Sequence, residues 1–493
     1  MEKKKAPAAR SARKERKSHG AAQKRARSGD CDVNAGDFIS RLPDAVIGTI
    51  ISLLPTKDGG RTQILSRRWR HLWRSAPLNL EVVTGPLGPC PGHHHPSVVH
   101  HSAVSKIISQ HLGPARRFCL KHLIDGDLPE MESWLDSRAI VNLQELDITN
   151  YAGYKTGYTL PQSVFRSAST LLVAKIMGCN FPDAITRSMN FLLLNQLSLD
   201  CVSISGDVFH GLLSGCHALE SLAMLEVHAA GCLRVSSPTL RSIGFRKGSR
   251  RKAELVLEDT PRLERLLLPY CDRNNSVTIR VIWAPKLQIF GPFSTGACEL
   301  RVFQVAATDI IRHSYMEIIV FDVGCFLQGM SPVSSTNSIR TVKVLALGCS
   351  EHQLDAVLDV LMWFPCLEKL YVTFHAHYRT FKQNEHQCDP LHPVCLQTHL
   401  KRVVFRLFKG SEQQIEFVMF FILYAKLLKK IEFQVCGDYY NNEFVARQRA
   451  LLKVGNRASR YAQFTFRNTS GCTDDHVTKH IHDLSLPDPF RLP

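Results

Sequence analysis

Two apolar patterns divide this chain. In residues 37–80, Val46, Ile47, Ile50, Ile51 and Leu54 recur at helical spacing and predict a first helix, with Asp44 as its N-cap. Pro55 should end that helix, because the residue before a proline is pushed out of helical angles. A turn, Pro55-Thr56-Lys57-Asp58, leads to the pair Ile64-Leu65. Ser66 then predicts the cap of a last helix carrying Trp69, Leu72 and Trp73 on one side, flanked by Arg67, Arg68, Arg70 and Arg74. So short a segment cannot bury that many large apolar groups by itself. The surplus must meet the rest of the chain or a partner, which marks the segment as a docking module. Gly59-Gly60 costs about 1 kcal/mol per glycine in a helix interior, so a middle helix should start late or fray.

Beyond residue 120 the pattern changes to Leu-x-x-Leu-x-Leu with apolar substitutes. Copies begin at Leu143, Leu194, Leu219, Leu240 and Leu263, with a weak copy at Leu171 and a truncated one at Leu287. Successive starts are 28, 23, 25, 21, 23 and 24 residues apart. Later copies begin at Ile339, Leu367, Leu400 and Leu428, and the gap before Ile339 leaves room for a degenerate copy around Ile318-Ile319-Val320-Phe321. Such periods predict a leucine-rich-repeat solenoid. Alternate residues of each short strand face opposite ways, the apolar ones fill a core shared between neighbours, and the strands line up as a parallel sheet. The residue after the strand is Cys at Cys179 and Cys201 but varies elsewhere, so the solenoid should be irregular. Residues 391–433 read as strand, glycine turn, helix and strand, with a helix over Phe444 to Leu452 and a last strand over Tyr461 to Phe466 closing the array. Residues 468–493 carry prolines without periodicity and read as an irregular tail.

At 493 residues and 44% apolar content, the chain is folded and too long for one ordinary compact domain unless it is a repeat array. No window reaches the roughly 18 apolar residues of a membrane span, and the basic N-terminus lacks the apolar stretch of a secretory signal. Sixteen cysteines occur without a CxxC pair and read as reduced, mostly buried thiols. The net charge of +17 is uneven: residues 1–30 carry +8 and residues 37–80 carry +4, leaving little on the repeat body. That distribution argues against a broad nucleic-acid-binding face. The tail over residues 1–36 is too poor in large apolar groups to order itself. Its clusters Lys3-Lys4-Lys5 and Lys24-Arg25-Ala26-Arg27 have the composition of nuclear-import signals, which predicts a protein of nucleus and cytoplasm.

Candidate chemistry is thin. His93-His94-His95 and His100-His101 lie in a Pro/Gly-rich linker that holds nothing at a tetrahedral centre. Cys472, Asp474, Asp475, His476, His480 and His482 form a better set, since His476 and His480 share a helical face, but Gly471 and Pro487 confine it to a short segment. Cys388 and Cys395 read as a loop pair. No phosphate loop, GxSxG or HExxH occurs, so neither a catalytic residue, a metal nor a cofactor is expected.

Leu42-Pro43-Asp44, the Ile47 to Leu54 helix, Leu54-Pro55-Thr56-Lys57-Asp58, Arg61-Thr62, Leu65-Ser66-Arg67-Arg68-Trp69-Arg70 and Leu72-Trp73 together resemble an F-box of the plant type. Cys395-Leu396, Leu400-Lys401, Gly410, Glu416-Phe417-Val418, Ile422-Leu423, Ala425 and Leu428-Lys429-Lys430 resemble the FBD domain that accompanies plant F-box and leucine-rich-repeat proteins. The resemblance implies an α/β chain: a basic tail (1–36), a small all-helical F-box (37–80), a linker and start of the array (81–119), an irregular solenoid (120–390), FBD-like repeats with a cap (391–467) and the final tail (468–493). It further implies a non-catalytic, substrate-recognition subunit of a Skp–cullin–F-box ubiquitin ligase. The F-box would bind the Skp-type adaptor, and through it the cullin. The repeats would hold a protein substrate on their concave strand surface or on loops at one rim. Adaptor contacts are expected from Leu42, Pro43, Ile47, Ile50, Leu53, Leu54 and Pro55 and from Ile64, Leu65, Trp69 and Trp73, divided between interface and internal core, with the two tryptophans as main anchors. A non-degradative scaffold or nuclear interaction protein is the alternative.

Overall fold

A computed structural model describes residues 38–83, 99–121, 128–150, 158–183, 189–229, 232–248, 253–269, 277–294, 298–302, 319–322, 339–375, 392–452, 455, 457–469 and 475–492. The basic tail with its lysine and arginine clusters, most of the Pro/Gly-rich linker, His93 to His95 and Cys388 lie outside the described residues.

The F-box segment forms α1 (Asp44–Leu53), α2 (Thr56–Arg61), a single 3-10 turn over Thr62–Ile64 and α3 (Arg67–Ser75). The chain then enters a sheet at once, through strand Leu78–Val83. Among the described residues this sheet has fifteen strands, all paired in parallel from Val99–His100 at one edge to Gln463–Thr469 at the other. Apart from the first pair, strands follow chain order across it, as stacked repeats require.

The apolar pattern explains the order. In strand Gln196–Asp200, Leu197 and Leu199 point into the core and the strand before it supplies Ala174 and Ile176 at the same depth. Leu143, Leu146 and Ile148, Leu219, Leu222 and Met224, Leu240, Ile243 and Phe245, and Leu367, Leu370 and Val372 repeat the placement, each fully or almost fully buried. Fully burying one such side chain is worth about 1.5–3 kcal/mol, so the array is stabilised by neighbours rather than within any one repeat. Towards the end of the sheet, phenylalanines take over. Phe374 stacks on Phe405 with centroids 5.7 Å apart, Phe405 on Phe433 at 5.8 Å and Phe433 on Phe466 at 4.6 Å.

Two repeat assignments are corrected. The copy placed at Ile339 begins at Val342: Leu345 and Leu347 occupy the core positions, and Leu345 is in register with Leu370. Ile339 is buried outside the strand. No degenerate copy fills the preceding gap in the main sheet, because strand Ile289–Ser294 pairs directly with Val344–Cys349. Strand Ile319–Asp322 lies instead in a second, five-stranded sheet, antiparallel to Cys298–Val302. The remaining strands of that sheet, Cys232–Ser236, Ala253–Asp259 and Val277–Val281, come from the segments between main-sheet strands.

The FBD-like segment contains a short helix (Val394–Thr398), strand Arg402–Phe408, helix Glu412–Tyr424 and strand Lys430–Cys436. The turn depends on Gly410, whose φ of +70° is a left-handed angle that glycine adopts without strain. Helix Asn442–Leu451 and strand Gln463–Thr469 follow, as the sequence predicts.

The largest departure concerns the final residues. Beyond the short helix Asp475–Lys479 they are irregular in secondary structure, as expected, but they are packed rather than a free tail. Residues 475–492 fold back over the face of the main sheet that looks away from the repeat core, as a strap. Val477, Ile481 and Phe490 are buried there in a second apolar cluster with Ala223, Leu225, Leu267, Ile289, Ala346, Tyr371 and Val404. Strand alternation accounts for the two clusters: Leu222 and Met224 face one way, Ala223 and Leu225 the other. A proline-rich segment without periodicity gives no local signal for this.

Within the strap, His482 sits between two serines of the sheet. Its Nε2 is 2.7 Å from Ser198 Oγ and its Nδ1 is 2.7 Å from Ser221 Oγ, so the neutral ring donates to one hydroxyl and accepts from the other. Burial, and secondarily the charge of Lys175, lower its pKa to about 4. The unfolded chain, with an ordinary histidine near 6.5, binds the proton first as the pH falls. Stability should therefore fall as the pH drops from about 6.5 towards 4. Thermal melts at pH 7 and pH 5 should show a smaller loss for His482→Gln than for the natural chain; equal losses would exclude His482 as a contributor.

Candidate docking site

The F-box helices are locked by polar bonds at their ends and by tryptophan in their middle. Ser66 caps α3, accepting from the Trp69 backbone N–H at 3.3 Å. Asp44 is not a cap. Pro43 occupies that position, and the Asp44 carboxylate accepts from Arg68 Nε at 2.6 Å. The same guanidinium donates to the Ser40 carbonyl at 2.7 Å and to the Leu42 carbonyl, tying the start of α3 to the start of α1. At the other corner, Asn79 of the first strand donates to the carbonyls of Ser52 and Leu54, at 2.6 and 2.9 Å, and accepts from Thr56 Oγ1 at 2.7 Å. These bonds hold the F-box against the start of the array.

Gly59 and Gly60 do not delay or fray α2, which contains both. The reason is steric. A Cβ on Gly59 would lie 2.4 Å from Trp73 Cζ3, whereas one on Gly60 would sit at an ordinary 3.7 Å. The indole of Trp73 occupies the space a side chain would need, and its ring also meets His111 at 5.1 Å.

The structure sorts the eleven apolar residues expected at the docking face. Ile47, Trp69 and Trp73 are buried in the chain's own core, the tryptophans 8% exposed. The expectation that the tryptophans are the main outward anchors is therefore corrected: they fix the helices to one another and to the array. Leu42, Leu54 and Pro55 are half-buried, and Pro43 is exposed. Ile50, Leu53, Ile64 and Leu65 are exposed, the last three at 62%, 85% and 63%. Sequence reasoning missed Phe38, Ile39 and Val46, which are also exposed.

Helix geometry shows what could have separated them. Val46, Ile50 and Leu53 lie on one stripe of α1, and Ile47, Ile51 and Leu54 on another, roughly 100° round the helix. The second stripe is turned towards the chain's own core, with Ile47 and Ile51 fully buried, and the first is left in solvent. The exposed stripe carries no charge to keep it wet, while five arginines lie in or beside the helices at Arg61, Arg67, Arg68, Arg70 and Arg74.

No alternative chemical centre competes with this surface among the described residues. None of their His, Cys, Asp and Glu side chains gather in a group of three able to hold a metal. His480 donates to the Pro489 carbonyl at 2.7 Å and His482 is held by its serines; Cys472, Asp474 and the side chains of Asp475 and His476 lie outside the described residues. Cys119, Cys179, Cys216 and Cys395 are buried and unbridged, and burial pushes each thiol up to about 12. Among the described residues no helix is long and apolar enough to cross a membrane.

Gly59→Ala should destabilise the chain despite alanine's better helix propensity, by about 1–3 kcal/mol of overpacking. Gly60→Ala should be stabilising by up to about 1 kcal/mol. Chemical denaturation of the two variants checks the contrast, and equal effects would rule out the Trp73 contact as its cause.

Comparison with known proteins places these elements in a family. The F-box domain model matches residues 39–81 and the FBD model residues 391–433. The repeats of FBD-associated F-box protein At5g56370 match residues 131–372. Among Arabidopsis thaliana proteins, the putative FBD-associated F-box protein At3g50710 is 24% identical over 472 residues, covering 87% of this chain and 99% of its own length. The putative F-box/LRR-repeat protein At5g02700 is 29% identical over 196 residues, so the match covers only 39% of either chain. Another, At5g41840, is 31% identical over 234 residues, 42% of its length. With its helical module, its strand array and its closing segment each matched in order, the chain belongs to the plant F-box/leucine-rich-repeat proteins that carry an FBD domain.

Proposed function

We propose that this chain is the substrate-recognition subunit of a Skp–cullin–F-box ubiquitin ligase. The F-box docks on the Skp-type adaptor and, through it, on the cullin; the repeat array holds a protein substrate. The observation that carries this reading is the uncharged apolar stripe of Val46, Ile50 and Leu53, together with Ile64 and Leu65, left in solvent on an otherwise well-packed F-box. An apolar surface of this kind is characteristic of an interaction site. The rigid join through Asn79 supports the same reading, since a chain that must hold a substrate at a fixed place gains from a stiff connection between its two docking surfaces. The chain itself needs no reactive side chain; it supplies proximity and orientation to enzymes brought by the other subunits.

Leu53→Asp combined with Ile64→Asp should abolish capture of a Skp-type adaptor while leaving the melting temperature nearly unchanged, since both residues are exposed. Adaptor binding at the natural level by the folded double variant would exclude this surface. Accumulation of a specific protein on removal of the chain would distinguish degradation from scaffolding.

Distribution between nucleus and cytoplasm is also proposed, on the basic clusters at Lys3, Lys4, Lys5, Lys24, Arg25 and Arg27. Deleting residues 1–30 should shift a fluorescent fusion out of the nucleus without changing adaptor capture; an unaltered distribution would remove the import role.

A further inference from the structure

The face of the main sheet turned away from the repeat core is the surface on which a repeat array of this kind would hold a partner, and the chain's own last residues lie across it. The strap reaches from strand Gln196–Asp200, where His482 meets Ser198, to strand Arg402–Phe408, where Arg406 donates to the Phe490 carbonyl. It adds no strand to the sheet. Apart from those of the His482 ring with Ser198 and Ser221, its bonds run from side chains of the sheet to the strap's carbonyls and to one carboxylate.

Arg265 donates to the carbonyls of Asp483, Leu484 and Leu486 at 2.8, 3.0 and 2.5 Å. Contacts of that kind grip a backbone whatever its side chains are. The specific contacts come next. Asp488 Oδ2 accepts from Lys369 Nζ at 2.5 Å and from Tyr371 OH at 2.7 Å, in a setting where the carboxylate is buried. Two residues on, the Phe490 ring packs edge-on against Tyr371 with centroids 5.7 Å apart. Arg265, Lys369 and Arg406 make the specific end of this face cationic, and Ala223, Ile289, Ala346 and Val404 give it an apolar floor.

None of this supports the repeats. The core positions Leu222, Leu266, Leu370 and Phe405 point to the opposite side of the same strands. The strap's apolar cluster is separate from the main core. Releasing the strap would rehydrate charged and hydroxyl groups and leave the stacked leucines and phenylalanines in place.

We propose that this face is a peptide-binding surface which residues 475–492 occupy in the free chain. The partner protein displaces them with a segment of its own that carries an acidic residue two positions before an aromatic one, as Asp488 precedes Phe490. This deepens the proposal that the array holds a protein substrate, and rests on it. It names the face, the class of segment recognised and the intramolecular competitor. Occupation by the strap keeps the apolar floor covered until a segment of matching chemistry arrives.

The test uses a fluorescent peptide of residues 475–492 as the probe and reads its anisotropy. Three proteins are compared: the full chain, a chain ended after residue 474, and the full-length Asp488→Asn, Phe490→Ala variant, which serves if the shortened chain does not fold. The peptide should bind the released chains at least about 10-fold more tightly than the natural chain, a gap of about 1.4 kcal/mol. A peptide carrying Asp488→Ala and Phe490→Ala should bind them at least about 10-fold more weakly than the unaltered peptide. Equal binding of the two peptides, or no binding to either released chain, would overturn the proposal. So would hydrogen exchange of residues 475–492 in the natural chain as slow as that of strand Lys369–Phe374, because the strap would then open only with global unfolding. Adaptor capture by all three proteins should be the same; its loss in the natural chain would count against the ligase reading, not against the peptide surface.

Discussion

A repeat that cannot bury its own leucines governs this molecule. Each short strand puts two or three large apolar groups on one side, and only the strands before and after can cover them. From that requirement come the parallel pairing, the strand order that follows the chain, and the continuity of one core from Ile47 of the F-box to Phe466 of the last strand. The same requirement makes the ends of the array vulnerable. At the first end the F-box closes it: Trp69 and Trp73 are spent inside the chain, and Asn79 of the first strand fastens the corner between α1 and α2. At the other end the stacked phenylalanines and helix Asn442–Leu451 close it.

Alternation along the strands gives the sheet a second face, turned away from the repeat core. Its residues are not selected for packing between repeats, so they can be Ser198, Arg265, Lys369, Tyr371 or Arg406 without weakening the stack. A strap from the end of the chain covers them through hydrogen bonds and a small apolar cluster. The F-box shows the same division of labour on a smaller scale. On α1, the stripe of Ile47 and Ile51 holds the module together, and the stripe of Val46, Ile50 and Leu53 is left in solvent. In both places the residues of the main core and those turned away from it are neighbours in sequence and differ only in the side of the element they occupy.

Electrostatics plays a supporting part. Glu432 is buried on the outer side of its strand and is held by Arg402 at 2.7 Å, with Lys430 at 3.5 Å and Arg467 at 3.6 Å. Desolvation alone would raise its pKa, but the bonds from Gln434 and Arg402 and the surrounding positive charge outweigh it and leave the carboxyl below its ordinary value. A buried charge so surrounded is tolerated because its partners are already in place. Arg402 on the outer face thus serves as a partner for an acid within the sheet, and Arg265, Lys369 and Arg406 serve as contacts for the strap.

The sequence by itself determined the class of the fold, the helical front module, the repeat spacing and the closing helix and strand. All of these follow from apolar periodicity and from local signals such as Ser66, Pro55 and Gly410, which act over a few residues. It could not decide which face of α1 is buried, because Val46 and Ile47 are both apolar and only the packing of α1 against α3 and the first strand separates them. It could not show why Gly59 is a glycine, since the indole that fills its space lies fourteen residues further along the chain. Nor could it place residues 475–492, whose partners Ser198, Arg265, Tyr371 and Arg406 come from distant repeats and meet only when the strands are stacked. Contacts that exist only between distant segments leave no period in the sequence, and here they set which surfaces remain open and which are covered.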